Sequence, residues 1–149
     1  MKRFFGILLI FALILTLSAC NNDQKKADEQ ATPFIRAMLK RDEAQMALYL
    51  HPDYKESAIP SDDFYTQLTE KHFFTIGAEL DSITTVAKTP VSDYNGSGSL
   101  VKYSYIIDAN QLFYDVDLLI LDDERGYGVA GVYVTLNAEL SLGSVIKGE

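Results

Sequence analysis

The chain has a single cysteine and two histidines in 149 residues. With one cysteine there is no intramolecular disulfide, so a core must hold the fold. Two scattered histidines, His51 and His72, do not supply the four Cys or His ligands at set spacing that structural zinc requires, and no metal or cofactor is expected. Each stands at an expected helix end, where a positive ring suits the helix dipole. No Gly-x-Ser-x-Gly stretch offers a nucleophile elbow, and no glycine loop with Lys-Ser or Lys-Thr cradles phosphate. Basic residues are scarce, 13 against 21 acidic ones, for a formal net charge of −8. Such a surface repels phosphate backbones, so nucleic acid is not an expected partner. The simplest role of the charge is solubility.

The long apolar run stands at the start. Met1-Lys2-Arg3 is followed by an unbroken apolar stretch from Phe4 to Leu17 and by Ser18-Ala19-Cys20. A basic start, an apolar middle and small residues before a cut site read as a secretory signal peptide. An uncleaved span is one competing reading, but 4–17 falls short of the roughly 20 residues that cross a hydrocarbon core; an ordinary signal peptide followed by a chance cysteine is the other. Leu17-Ser18-Ala19-Cys20 resembles the lipobox of bacterial lipoproteins. That resemblance implies cleavage between Ala19 and Cys20, a diacylglyceryl thioether on Cys20, and a place on the bacterial cell membrane facing away from the cytoplasm. Stable anchoring takes two lipid signals, and a diacylglyceryl group carries both. The membrane, through the lipid on Cys20, is thus the first expected partner. Residues 1–19 hold Lys2 and Arg3 and no acid, so the chain from Cys20 onward carries −10. Anionic headgroups repel it, leaving the lipid to do the holding.

Three segments are expected: a signal peptide over 1–19, a lipidated N-terminus and polar tether over 20–31, and a single α+β domain over 32–149. Residues 21–31 contain no large apolar side chain; they read as a tether with room for helix towards its end, and as a flexible coil would span on the order of 20 Å. Thr32-Pro33 reads as a hydroxyl N-cap with proline at the first helical position. Phe34, Ile35, Met38 and Leu39 follow at helical spacing, then Met46, Tyr49 and Leu50 after a polar stretch with Asp42 as a new cap. His51-Pro52 ends this part. Pro60-Ser61-Asp62-Asp63 opens another helix that buries Phe64, Tyr65 and Leu68. From Phe73 the pattern shifts to strands over 73–91, 100–108, 112–121 and 127–136, joined by links too short for parallel crossovers. In the last strand, even alternation puts Val129 and Tyr133 on one face and Val132, Val134 and Leu136 on the other.

Helices first and a meander afterwards make an α+β domain, with N-terminal helices packed on a curved antiparallel sheet of about four strands. This order over 32–137, and the stretch Pro33-Phe34-Ile35-Arg36-Ala37-Met38-Leu39-Lys40-Arg41-Asp42, resemble the cystatin-like cone of nuclear transport factor two-like small secreted lipoproteins. That fold hosts enzymes, binding modules and assembly domains alike, so the resemblance implies a shape and not an activity.

Three clusters suggest chemistry. Asp93-Tyr94-Asn95-Gly96-Ser97-Gly98 matches the first half of a calcium loop, but position 12 is Ser104 where a bidentate Glu belongs, and a glycine-rich hairpin explains the same letters. Asp115 and Asp117, two apart on a strand, share a face. If a cavity opens beside Tyr114, Asp115, Asp117 and Tyr133, one carboxylate could serve as acid or base; the simpler account is a solvated outer face opposite Tyr114 and Val116. Asp122-Asp123-Glu124 reads as an exposed loop. The leading functional reading is a non-catalytic, lipid-anchored domain that binds an envelope protein or small ligand. The competing ones are a small cone-fold enzyme and an accessory subunit of a membrane complex.

Overall fold

The computed structural model describes residues 22–55, 62–72 and 74–137. The expected signal peptide, the Ala19-Cys20 cleavage site, the Pro60-Ser61 helix start, Phe73 and residues 138–149 lie outside the described residues.

The expected tether is instead helix. Residues 22–40 are helical throughout, here called α1, and Thr32-Pro33 falls in its interior. An interior proline removes one hydrogen bond and costs about 3 kcal/mol, so tertiary packing must hold the first turns. Ala27 and Ala31, four apart, are fully buried and extend the stripe formed by Phe34, Ile35, Met38 and Leu39. Small side chains let the helix lie close to the sheet, which a search for large apolar residues overlooks.

Arg41, at φ 53°, breaks the helix. Asp42 then caps α2 (Glu43–Ala47), its carboxylate accepting from the Gln45 N–H at 3.0 Å. His51 leads into a short 3₁₀ turn, Pro52–Tyr54, and α3 spans Asp62–His72 with Asp62 and Asp63 in its first turn. On α3, Tyr65 and Leu68 are buried and Phe64 is partly so, matching the expected apolar side.

Four strands follow: β1 Leu80–Pro90, β2 Ser99–Ala109, β3 Leu112–Asp123 and β4 Gly126–Leu136. They form one antiparallel meander in the order β1-β2-β3-β4, so the α+β class of helices on a four-stranded sheet holds. Two-residue turns close β2–β3 at Asn110–Gln111 and β3–β4 at Glu124–Arg125. Asn110 and Gln111 both have positive φ, as a mirror-image hairpin turn demands. Their N–H groups are held by Asp81 and Asp108.

The register shifts twice in β1, at Leu80/Ser82 and Thr85/Ala87, and once at Leu119/Ile120 of β3. The third shift corrects the expected pattern of β4. It pairs Ile120 with Val129 and Leu119 with Gly131, so Val129 joins Val132 and Val134 on the core side and Tyr133 points outward, 63% exposed. Beyond β4, Leu50 makes a parallel bridge to Val129, with the His51 N–H on the Val129 carbonyl and the Val129 N–H on the Tyr49 carbonyl, both at 2.9 Å. Gly128 permits this approach, since a Cβ there would lie 2.5 Å from the His51 nitrogen.

Tyr105, Ile107, Val116, Leu118 and Ile120 share one core with Phe34, Ile35 and Met38 of α1. Each fully buried side chain of this size contributes about 1.5–3 kcal/mol. The opposite face of the sheet, carrying Lys102, Asp115, Asp117 and Tyr133, has no helix over it among the described residues.

Candidate functional site

Asp115 and Asp117, expected either as pocket carboxylates or as part of a solvated outer face, are on that open face. Asp117 stands opposite Tyr133 in the register and pairs with Lys102 at 3.2 Å. Asp115 is exposed and accepts from the Asn137 amide at 3.0 and 3.2 Å. Tyr114 is not with them. It is buried on the core side, its ring edge-on to Phe74 at 5.3 Å. The structure therefore brings together Asp115, Asp117 and Tyr133 on an open face and separates Tyr114 from them by the thickness of the sheet. In the calcium-like stretch, the Asp93 carboxylate is exposed and, among the described residues, accepts from the adjacent Ser92 hydroxyl alone, while Ser104 lies in the middle of β2. No three His, Cys, Asp or Glu among the described residues are grouped to hold a metal.

A dense polar cluster lies elsewhere, where β3 meets β4. Asp123, expected in an exposed loop, ends β3 with its side chain fully buried. Its Oδ1 accepts from the N–H groups of Arg125 (2.7 Å) and Gly126 (3.2 Å) and from His51 Nε2 (3.0 Å). Its Oδ2 accepts from Arg125 Nε and Nη2 at 3.2 and 2.9 Å. Burial alone would raise the carboxyl's pKa, but the hydrogen bonds from Arg125 and His51 outweigh it and hold the group far below the ordinary carboxylate range. Arg125 Nη1 also pairs with Asp53.

His51, expected at a helix end, leads into the 3₁₀ turn and is fully buried. Its Nδ1 accepts from the Asp53 N–H at 3.3 Å, so Nε2 carries the proton donated to Asp123. Both ring nitrogens are engaged and neither reaches solvent. The His-Asp pair locks the 51–54 segment to the hairpin. Nothing in the spacing of His51 and Asp123, 72 residues apart, marks them as partners. Of His72, the backbone closes α3 and the side chain lies outside the described residues.

A second cluster fastens the start of α1 to the sheet. Lys26 pairs with Asp122 at 3.3 Å and stands over the Tyr127 ring at 3.8 Å. Lys88 on β1 pairs with Asp23 at 3.3 Å and lies 5.7 Å from the Tyr103 ring centre. Burial disfavours the Lys88 ammonium, but Asp23 and Tyr103 more than compensate and raise its pKa. One turn on, the Thr85 hydroxyl donates to Asp28 at 3.0 Å. Asp23, Lys26, Lys88, Tyr103, Asp122 and Tyr127 line a cleft of about 90 Å³, well short of the 300 Å³ at which small-molecule pockets begin. The Tyr105 hydroxyl lies deeper, fully buried, with no hydrogen-bond partner among the described residues. Burial first, and then the charge of Asp28, push its pKa upward. The arrangement fits a clamp better than a ligand site.

Among the described residues no helix is long and apolar enough to cross a membrane. Comparison with protein-family models, with curated proteins and with solved structures finds no significant match.

Proposed function

We propose that the protein is a lipid-anchored lipoprotein of the bacterial cell envelope whose domain works as an interaction module. The observation that carries this reading is the position of the clamp. Asp23, three residues after Cys20, is already tied to Lys88, so the folded part starts where the lipobox-like motif ends. A cut between Ala19 and Cys20 would leave the described core intact, since its first buried side chain is Ala27. The order of helices and then meander agrees with a cystatin-like cone, which remains part of this proposal.

The acid/base alternative finds less support. Asp117 is neutralised by Lys102, Asp115 is held by Asn137, and both lie on an open face. Tyr133 beside Asp117 offers what interaction surfaces use, an exposed aromatic with a polar rim. The anchor is tested by Cys20→Ala: the variant should leave the membrane fraction, and one that stays there with its signal peptide normally removed refutes the assignment. The module is tested by placing a photoreactive group at position 133 in the membrane-bound protein. A specific crosslinked protein is expected; no crosslink, with no ligand retained by the purified protein, would remove the interaction reading.

A further inference from the structure

We infer that the domain stands end-on upon the bilayer, with the 91–98 loop and the Glu124–Arg125 turn resting in the headgroup layer. This inference rests on the lipid anchor proposed above. Asp23 is fixed to Lys88, two residues from the end of β1, and Lys26 to Asp122, next to the end of β3. The start of α1 thus lies at the sheet end that carries these two connections. The other end of α1 is equally fixed, because the Leu39 carbonyl accepts from the Gly77 N–H and Lys40 pairs with Glu79 just before β1.

The covalent chain allows little freedom. From Cys20 to Asp23 it spans at most about 11 Å, taking 3.6 Å per residue. The headgroup layer on one side of a bilayer is about 5–8 Å thick. A lipidated Cys20 therefore keeps this end of the sheet within reach of the headgroups, where a 20 Å tether would have let the domain float free.

Charge favours the end-on pose over one lying flat. At the anchored end Asp23, Asp122 and Asp123 are each paired with Lys88, Lys26 or Arg125, which leaves Asp93 and Glu124 as the exposed acids there without a cation among the described residues. At the far end Asp81, Asp108 and Asp115 bind only backbone N–H groups or an amide among the described residues. The eleven residues of β1 separate the two ends by about 33 Å. Standing on end puts Asp81, Asp108 and Asp115 several Debye lengths, of about 8 Å each, from an anionic surface and leaves Asp93 and Glu124 near it; lying flat adds those of the far end to them.

The absence of any cysteine other than Cys20 makes the test direct, since lipidation leaves an introduced cysteine as the sole free thiol. The full-length lipidated variants Ser97→Cys and Glu79→Cys are labelled with an environment-sensitive fluorophore in phosphatidylethanolamine/phosphatidylglycerol vesicles bearing a headgroup-attached quencher. The label at 97 should lose most of its emission and the label at 79 almost none. Equal quenching at both positions, or the reverse order, overturns the pose. A twelve-residue Gly/Ser insertion between Asn21 and Asn22, about 20 Å as a coil, should relieve the quenching at 97; quenching that persists overturns the short-reach argument. Failure of the anchor itself reads out separately, as maleimide labelling of Cys20 in the parent protein.

Discussion

Two buried tyrosines should respond in opposite ways to loss of the same atom. In Tyr65 the hydroxyl donates to the Met38 carbonyl at 3.1 Å and lies 3.7 Å from the Met46 sulfur, and burial pushes its pKa up to about 12. A net protein hydrogen bond contributes about 0.5–1.5 kcal/mol, so Tyr65→Phe should cost about 1 kcal/mol. The Tyr105 hydroxyl has no partner among the described residues. Burying such a group unpaired costs about 1–3 kcal/mol, so Tyr105→Phe should leave stability unchanged or raise it by about 1 kcal/mol. The ring and its packing stay in both variants, so no cavity effect obscures the difference. Urea unfolding of the domain from residue 22 onward, followed by far-UV circular dichroism, gives both values, with equal slopes expected because the exposed surface is the same. The reasoning fails if Tyr105→Phe loses as much stability as Tyr65→Phe, since the Tyr105 hydroxyl would then be satisfied in solution.

Gly128→Ala drives a Cβ into the backbone of Leu50 and His51; urea unfolding should show a loss of about 2 kcal/mol or more, from overpacking and the two bridge hydrogen bonds. Asp123 has a depressed pKa in the fold, so its stabilisation is complete above the ordinary carboxylate pKa near 4 and is lost as pH falls towards the folded value. The stability gap between the wild type and Asp123→Asn, measured from pH 7 to 2, should be flat above about pH 5 and narrow below it; a constant gap would contradict the cluster. Lys26→Ala removes an ion pair that is half exposed on both sides, so global stability should change by no more than about 1 kcal/mol. Amide exchange in residues 23–31 should accelerate well beyond that in 34–39.

The sheet was the most legible part of the sequence because its signal is local. Tyr103, Tyr105 and Ile107 alternate with Lys102, Ser104 and Ile106, and the register of β2 follows. What escaped depends on partners distant in the chain. Thr32-Pro33 carries a genuine helix-start signal, but Ala27 and Ala31 against the sheet, with Lys26 on Asp122, continue the helix through it. Burial of Asp123 needs His51, and the outward turn of Tyr133 needs a bulge that no composition reveals. At the expected site, two-residue spacing correctly put Asp115 and Asp117 on one face, whereas pairing with Lys102 and Asn137 is a property of the assembled sheet.

An unpaired strand at a sheet edge invites the next copy to add to it, sheet upon sheet, and the proposed lipid anchor would bring copies together more often than in solution. Here β1 breaks register twice and finishes in Pro90, which has no N–H to offer. On the other side the Tyr49–His51 segment already occupies the hydrogen-bonding groups of Val129. Among the described residues one edge is thus irregular and the other is bridged at Val129, two features that work against strand pairing between copies.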